Sequence, residues 1–81
     1  MAVVGIDVNK AENEGKSPLY RASITGNELI VKALLAAGGD VNQEDYRGRA
    51  PLSKAIINDR PKVAAILRLA GAYEPPPRTN V

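Results

Sequence analysis

Four stretches of the chain carry apolar residues at the three- and four-residue spacing of amphipathic helices, with polar residues between them. This pattern predicts helices over residues 18–25, 28–37, 51–58 and 62–70. Glycine, asparagine or aspartate stands at or just beyond the end of each stretch, and these residues stop helices because they tolerate left-handed backbone angles. The hydrophobic pattern therefore predicts an all-α chain made of two helix pairs.

The second helix of each pair has the clearer apolar stripe. Helical spacing in the earlier pair links Leu29, Ile30, Ala33, Leu34 and Ala37. The residues expected to be buried in the later pair are Val63, Ile66, Leu67 and Ala70. For the later helix, this spacing predicts the face that packs in the core.

The first helices of the two pairs begin differently. Ser17 can cap the helix at 18–25, and Pro18 suits the first helical position because its missing N–H is not needed there. Ala50 stands at the same place before Pro51 and has no side-chain acceptor. We therefore expect a side-chain cap in the earlier pair alone.

The chain repeats itself at a period of 33 residues. Gly-Ile-Asp-Val-Asn at 5–9 returns as Gly-Gly-Asp-Val-Asn at 38–42, and Gly-Lys-Ser-Pro-Leu at 15–19 returns as Gly-Arg-Ala-Pro-Leu at 48–52. A fixed period of this length is typical of a solenoid, in which each unit buries its apolar face against a neighbour. Such a chain is expected to act through an extended surface rather than a catalytic pocket.

The register divides the chain into units. We predict a repeat domain over residues 1–73, consisting of a half repeat at 1–9, a full repeat at 10–42 and a terminal repeat at 43–73. Residues 74–81 contain three consecutive prolines, which favour an extended left-handed helix, and are predicted to form an extended tail.

Composition argues against several kinds of chemistry. The chain has no Cys and no His, and it shows no glycine-rich phosphate loop and no nucleophile beside a base. We therefore predict no enzyme activity, catalytic residue, cofactor, metal or small-molecule substrate. No apolar run approaches the roughly 18 residues of a membrane span, so we expect no membrane partner and an intracellular location, cytoplasmic or nuclear.

The charge is unevenly distributed along the chain. Residues 1–45 carry four basic and seven acidic side chains, and residues 46–81 carry seven basic and two acidic ones. This asymmetry is typical of an ordinary solvated surface or of a basic face that meets an acidic partner. Lys54, Arg60 and Lys62 also raise the hypothesis of nucleic-acid binding, which the lack of interleaved aromatic residues disfavours.

Two further signals are weak. The nearest approach to an acidic cluster, which leaves only loose divalent-ion binding open, is formed by Glu12, Glu14, Glu44 and Asp45. The end Thr79-Asn80-Val81 resembles ligands of PDZ domains, although three residues are a short match.

The motifs together resemble the ankyrin repeat. The resemblance covers residues 5–72 and rests on Gly-Lys-Ser-Pro-Leu-Tyr at 15–20, Ile-Val at 30–31, Leu-Leu at 34–35 and Asp-Val-Asn at 40–42. It implies a short ankyrin-type α-solenoid, with helix–turn–helix repeats joined by β-hairpin-like loops. It also implies that a partner protein binds to the loop tips and to the concave face of the first helices.

Carried over position by position, the resemblance gives ten candidate partner-binding residues. In the first full unit they are Asn13, Glu14, Lys16, Ile24 and Thr25. In the second unit they are Tyr46, Arg47, Arg49, Ile57 and Asn58. The second set is richer in Tyr and Arg, which dominate interface hot spots, although Tyr46 is equally compatible with packing on the neighbouring loop.

The chain departs from the family pattern at four positions. The family's His is replaced by Tyr20 in one unit and Ser53 in the other, so we expect the hydrogen bonds of that His to be lost in both. Asp59 replaces the Gly of the turn between helices. Arg68 replaces a buried Leu, which suits a final unit whose outer face meets water.

Three functional hypotheses remain at this point. The first is a protein–protein interaction module without catalysis. The second is a regulatory or capping fragment of a larger multi-repeat protein or enzyme, because two full repeats are few for a stable solenoid. The third is self-association through an uncovered apolar end around Val3, Val4, Ile6 and Leu29.

Overall fold

The computed structural model describes residues 7–73 of the chain. Four helices follow one another in this part: α1 (Pro18–Thr25), α2 (Glu28–Ala36), α3 (Pro51–Ile57) and α4 (Pro61–Leu69). The bounds of α1 are as predicted. Every other predicted bound that differs does so by one residue, because helix ends at both termini are irregular. The predicted tail and most of the predicted half repeat lie outside the described residues.

The helices form two stacked pairs. α1 packs against α2 within the first pair, and α3 packs against α4 within the second. Between the pairs, α1 contacts α3 and α2 contacts α4. The prediction of an all-α fold of helix–turn–helix repeats is confirmed.

The core lies between the two pairs and is built from small aliphatic side chains. Its buried members are Leu19, Ala22, Val31, Leu52, Ala55, Val63, Ala64 and Leu67. Three of these are alanines, which allow the helices to approach closely. The core therefore depends on both units, since neither pair alone supplies all of its walls.

Most of the apolar positions at helical spacing in α2 are exposed, and Leu29 is exposed as the hypothesis of an uncovered apolar end expected. Val31, which the prediction omitted, is fully buried, whereas Leu29, Ile30 and Ala33 are exposed and Leu34 is only half-buried. Ala37, the last member of that stripe, is exposed as well. The physical reason is that α2 packs mainly against α1 and α4, which leaves part of its apolar surface exposed among the described elements.

The prediction for α4 is partly right. Val63 and Leu67 are buried as expected. Ile66 is half-buried and Ala70 is exposed, while Ala64 is buried in their place. The stripe is thus rotated slightly toward α2 and α3, which pack on α4.

The helix starts follow the predicted capping. The Oγ of Ser17 accepts a hydrogen bond from the backbone N–H of Tyr20 at 3.1 Å, whereas Ala50 makes no side-chain cap. Asn27 caps α2 by accepting from the N–H of Ile30 at 3.1 Å. The second pair begins both of its helices without a side-chain cap.

Two asparagines at the same register position tie successive loops together. The Oδ1 of Asn9 accepts from the N–H of Asp40 at 2.6 Å, and its amide donates to the Gly38 carbonyl at 3.3 Å. One period later, Asn42 accepts from the N–H of Tyr73 at 2.7 Å and donates to the Gly71 carbonyl at 3.4 Å. The asparagine of the repeated Asp-Val-Asn motif therefore links the backbones of successive loops through its side chain.

The turn between the helices keeps its geometry despite the loss of glycine. Gly26 has φ 78° and Asp59, one period later, has φ 56°, so both are left-handed. An added Cβ at Gly26 would lie 2.6 Å from Cδ of Arg60, whose Nε donates to the Ile24 carbonyl at 3.1 Å. Glycine suits the left-handed conformation of the first turn, and a side chain there would displace the end of Arg60 from the Ile24 carbonyl. The second turn tolerates Asp, which enters the left-handed region more readily than most residues.

Candidate binding surface

The first candidate loop is a closed hairpin. Glu12 and Lys16 exchange two backbone hydrogen bonds, with N to O distances of 3.0 and 2.8 Å. Between them, Asn13 and Glu14 have positive φ values of 29° and 63° and are exposed at the tip. The Nζ of Lys16 lies 3.4 Å from Oε1 of Glu14, so this tip carries a paired rather than an open charge.

The second candidate loop is organised around the carboxylate of Asp45. Its Oδ1 accepts from the backbone N–H groups of Arg47 and Arg49 at 2.8 and 2.9 Å. The N–H of Asp45 donates to the Arg49 carbonyl at 2.9 Å, and the Gly48 N–H donates to the Asp45 carbonyl at 3.0 Å. These bonds fix the backbone that presents the second set of candidate residues.

Tyr20 connects this loop to the first unit. Its hydroxyl donates to Oδ2 of Asp45 at 2.7 Å, and both side chains are buried. The expectation that the family's His interactions are lost in both units is therefore wrong for the first, because Tyr20 supplies a hydrogen bond between units instead. The ammonium of Lys54 lies 5.9 Å from the centre of the Tyr20 ring, within the range of a cation–π contact.

Tyr20 and Asp45 both have pKa values displaced from their ordinary values. Burial raises the pKa of the Tyr20 hydroxyl, and its hydrogen bond to Asp45 and the charge of that carboxylate act in the same direction. The backbone N–H of Arg49 holds the pKa of the Asp45 carboxyl below its ordinary value, with help from the Tyr20 hydroxyl and the Arg47 N–H. Tyr20 is thus a protonated donor and Asp45 a charged acceptor at neutral pH.

Tyr46 both packs on its neighbour and faces solvent. Its N–H donates to the Glu14 carbonyl at 2.9 Å, and its ring lies so close to Gly15 that an added Cβ there would stand 2.5 Å from Cδ1 of the tyrosine. Even so, 83% of the residue is exposed. The two sequence-based interpretations of Tyr46 are therefore compatible.

Most of the first candidate set gathers in one place. A shallow depression of about 420 Å³ is lined by Asn13, Lys16, Arg21, Ile24 and Thr25. Glu14 stands outside it at the loop tip. The Thr25 hydroxyl is already used locally, since it donates to the Ala22 carbonyl at 3.1 Å.

The second candidate set is divided between the loop and α3. Arg49 and Ile57 line a groove of about 360 Å³, whereas Tyr46 and Arg47 project from the loop beside it. We call this groove the α3 groove and define it by Gly48, Arg49, Leu52, Ser53, Ile56 and Ile57, with Ala50, Glu44 and Tyr73 at its margins. Asn58 does not join either group, because its amide donates to the Lys54 carbonyl at 2.8 Å at the end of α3.

The arginines of the second set are available for a partner. Arg47 and Arg49 are exposed, and neither forms an ion pair within residues 7–73. Two of the basic residues that suggested nucleic-acid binding from the sequence make local contacts instead. Lys54 lies over the Tyr20 ring, and Arg60 donates to the Ile24 carbonyl. The loop at residues 43–50, called here the Asp45 loop, thus presents two exposed guanidinium groups, while Lys62 is exposed on α4.

Several residues of this surface escaped the sequence analysis. Asp45 was considered only as a member of an acidic cluster, and Ser53, Ile56 and Tyr73 were not considered as binding residues. The replacement of the family's His by Tyr20 was a usable signal, because a hydroxyl can donate where an imidazole does. No residue pattern in the sequence indicated the groove, because its existence depends on which tertiary neighbours cover α3.

The described residues offer no metal site and no membrane helix. Within 7–73, no group of three or more Asp, Glu, His or Cys side chains is placed to hold a metal ion, so the acidic cluster considered from the sequence does not form one. No helix in the described part of the chain is long and apolar enough to cross a bilayer.

Comparison with known proteins agrees with the repeat geometry. A family model described as ankyrin repeats (3 copies) matches residues 1–75, which is most of the chain. A comparison with curated proteins gave no match.

Proposed function

Because the chain belongs to the ankyrin repeat family, we propose that it binds a partner protein through its loop tips and the exposed face of its first helices, without catalysis. Ankyrin repeats are generally protein-interaction modules. The finer parts of the proposal, namely the face used and the chemistry of the partner, rest on the residues described above.

The observation that carries the proposal is the Asp45 loop. It exposes Tyr46, Arg47 and Arg49 on a backbone already held by hydrogen bonds. A preordered loop loses little conformational entropy on binding, and Tyr and Arg are the residue types that most often dominate interface energetics. Because guanidinium groups pair with carboxylates in a bidentate way, the loop supports an acidic protein partner.

A double substitution tests this face. Tyr46→Ala with Arg47→Ala should weaken binding of a partner captured by the native chain about tenfold or more, because both hot-spot side chains are removed. The helices should remain intact, since the hydrogen bonds of Tyr46 and Arg47 to Glu14 and Asp45 come from the backbone. Capture from cell lysate followed by titration with the purified partner measures the change, and circular dichroism checks the helices.

The matched control removes one apolar and one basic side chain elsewhere. Leu69 and Lys62 are exposed on α4, away from both candidate loops. The variant Leu69→Ala with Lys62→Ala should bind the partner as the native chain does. Equal affinity of the native chain and the Tyr46/Arg47 variant for a verified partner would refute the proposed face.

A second candidate function follows from the exposed side of α3. Ile56 and Ile57 are 52% and 64% exposed on this side. We propose as the alternative that the chain is a regulatory or capping part of a larger repeat protein or enzyme, whose further units cover α3. Light scattering tests the third hypothesis, self-association, because a dimer gives a mass that falls on dilution.

A further inference from the structure

The contact between the two units shows how this fold holds an acid–aromatic pair. Asp45 places its carboxylate on the Tyr20 hydroxyl at 2.7 Å. Tyr46 donates its N–H to the Glu14 carbonyl at 2.9 Å and lays its ring on Gly15. Residues 14, 15 and 20 of the first unit therefore contact Asp45 and Tyr46 of the next unit. We call these three positions the receptor positions.

The same three positions recur one period later at 47, 48 and 53, on a side of the second unit that is open. No atom of the described residues lies within 4 Å of the place where a Cβ of Gly48 would stand, whereas Gly15 is covered by Tyr46. Ser53, at the register position of Tyr20, is only half-buried. The second unit thus has the same three receptor positions, but no described residue covers Gly48 as Tyr46 covers Gly15.

The second unit carries different side chains from the first at and near these positions, which changes the shape and polarity of the surface. Ser53 is much smaller than Tyr20, which helps to open the α3 groove of about 360 Å³. Ile56 is 52% exposed at the register position of Ser23, which is fully buried against the next unit. The groove therefore has an exposed apolar wall at Ile56. A partner that covers it would gain binding free energy, because burial of aliphatic surface stabilises a complex.

Charge selects an acidic occupant. Arg49 lines the groove and Arg47 stands beside it, and neither guanidinium has an ion-pair partner within 7–73. Glu44 also lines the groove, and the Asp45 carboxylate of the same loop interacts with the charge of Arg49, but that carboxylate is already held by the Tyr20 hydroxyl and two backbone N–H groups. Because Ser53 is too short to replace the Tyr20 hydroxyl, we assign the incoming carboxylate to Arg49, the cation that lines the groove.

We propose that the α3 groove binds a partner-protein segment in which Asp or Glu is followed directly by an aromatic residue. The acidic side chain pairs with Arg49, and the aromatic ring covers Gly48 as Tyr46 covers Gly15. This inference rests on the proposed function and deepens it, because it names the partner chemistry for the Arg49 and Ile57 side of that surface.

The probe is an acetylated peptide, Gln-Glu-Asp-Tyr-Gln-Gly-Gln-Ala. It keeps the acid, the aromatic and the turn glycine of the loop at 43–50 and replaces both of its arginines by Gln. Titrated into the full chain, it should shift the amide signals of Gly48, Ser53 and Ile56 in a saturable way. Peptides with Asp replaced by Asn, or Tyr replaced by Ala, should each bind about tenfold more weakly, as loss of one anchoring contact requires.

A register-matched variant tests the wall of the groove. Ile56→Ser introduces the residue that the first unit carries at the same position, so the helix is expected to remain intact, and peptide affinity should fall about fivefold to tenfold. The control Ile30→Ser changes an equally exposed type of side chain on α2 and should leave affinity unchanged. Equal binding of the native, Asn and Ala peptides, or shifts that map to α2, would overturn the proposal.

The remaining outcomes separate the groove proposal from the proposed function of partner binding through the loop tips and first helices. If a captured partner is lost by the Tyr46/Arg47 variant but fully retained by Ile56→Ser, the proposed function stands and the groove assignment is overturned. Nuclear Overhauser contacts from residues 74–81 to Ile56 assign the groove to the chain's own C-terminal segment and also overturn it. A dimer mass accompanied by dilution-sensitive groove signals assigns it to a second copy, with the same consequence.

Discussion

At the scale of single residues, the two units differ in how they use equivalent positions. Tyr20 and Ser53 occupy the same register position, yet only Tyr20 reaches the carboxylate of the next loop. A buried carboxylate needs donors, and Asp45 obtains them from Tyr20 and from the N–H groups of Arg47 and Arg49. One side chain thereby links the two units and orders the loop that carries the candidate binding residues.

The Tyr20–Asp45 contact predicts a specific dependence on pH. Because the folded pKa of Asp45 is lowered, its contribution to stability is present above the ordinary value of 3.8 and is lost as pH falls through the lowered pKa. Tyr20→Phe should reduce the free energy of unfolding at pH 7 by about 1.5–3 kcal/mol, the loss of one hydrogen bond to a charged carboxylate. Urea unfolding at several pH values should show the two curves converging in acid.

The control for this prediction is Tyr46→Phe. It removes the hydroxyl of an exposed tyrosine and should change stability by less than about 0.5 kcal/mol at every pH. A difference between Tyr20→Phe and the native chain that stays constant down to strongly acidic pH would contradict the role given to the Asp45 charge.

At the scale of elements, the units differ in how their helices begin. The first unit caps α1 with Ser17 and α2 with Asn27, whereas the second starts α3 and α4 without side-chain caps. Uncapped N–H groups must find water, so the second pair is expected to fray more readily than the first. The second pair is also the one that carries the α3 groove.

Ala50→Ser should supply the missing cap. Ala50 has φ −96° and ψ 166°, close to the −76° and 164° of Ser17, so its backbone already suits a capping serine. We expect a gain of about 0.5–1 kcal/mol in the free energy of unfolding, measured in urea by circular dichroism.

The reciprocal change provides the comparison. Ser17→Ala should cost about 1 kcal/mol or more, because Ser17 is buried and its bond to the Tyr20 N–H is shielded from water. If Ala50→Ser proves neutral while Ser17→Ala is costly, capping at α3 is satisfied by water, and the expected fraying of the second pair is wrong.

At the scale of the whole molecule, stability depends on contacts between nearest neighbours. α1 meets α3 and α2 meets α4, and the core between them contains residues of all four helices. A chain of this length has a total stability of roughly 4–12 kcal/mol, so a single core contact is a large part of it. Loss of a central side chain should therefore weaken both units together.

Two leucines of one helix test this coupling. Leu67 is fully buried and Leu69 is 90% exposed, both on α4. Leu67→Ala should cost about 2–4 kcal/mol and lower the thermal midpoint by well over 8 °C, while Leu69→Ala should change stability by less than about 0.5 kcal/mol. A single transition seen by far-ultraviolet circular dichroism and by tyrosine fluorescence indicates that the units unfold together. Similar midpoints for the two variants would contradict the position of the core.

The fold could largely be read from the sequence, because its signals are local or periodic. Helical spacing, turn residues and the 33-residue register placed all four helices to within one residue at each bound. Of the candidate binding residues, Tyr46, Arg47 and Arg49 are exposed on an ordered loop as the family resemblance implied. Whether they bind a partner stays a prediction.

The buried stripe of α2 could not be predicted in the same way. Leu29 and Ile30 match helical spacing as well as Val31 does, and which of them is covered depends on the position of the neighbouring helices. Periodicity indicates that a helix is amphipathic, but in a short stack the face that is buried also depends on where the stack ends.

The sequence by itself determined the repeat, the helices and the cap of α1, because these arise from spacing, capping and turn chemistry within a few residues. Only the tertiary structure decided the Tyr20–Asp45 bond, the packing of Tyr46 on Gly15 and the opening of the α3 groove. Each of these joins residues that are far apart in the chain, or depends on which side of a unit lacks a neighbour. Distances across a stack are set by packing, which no local pattern records.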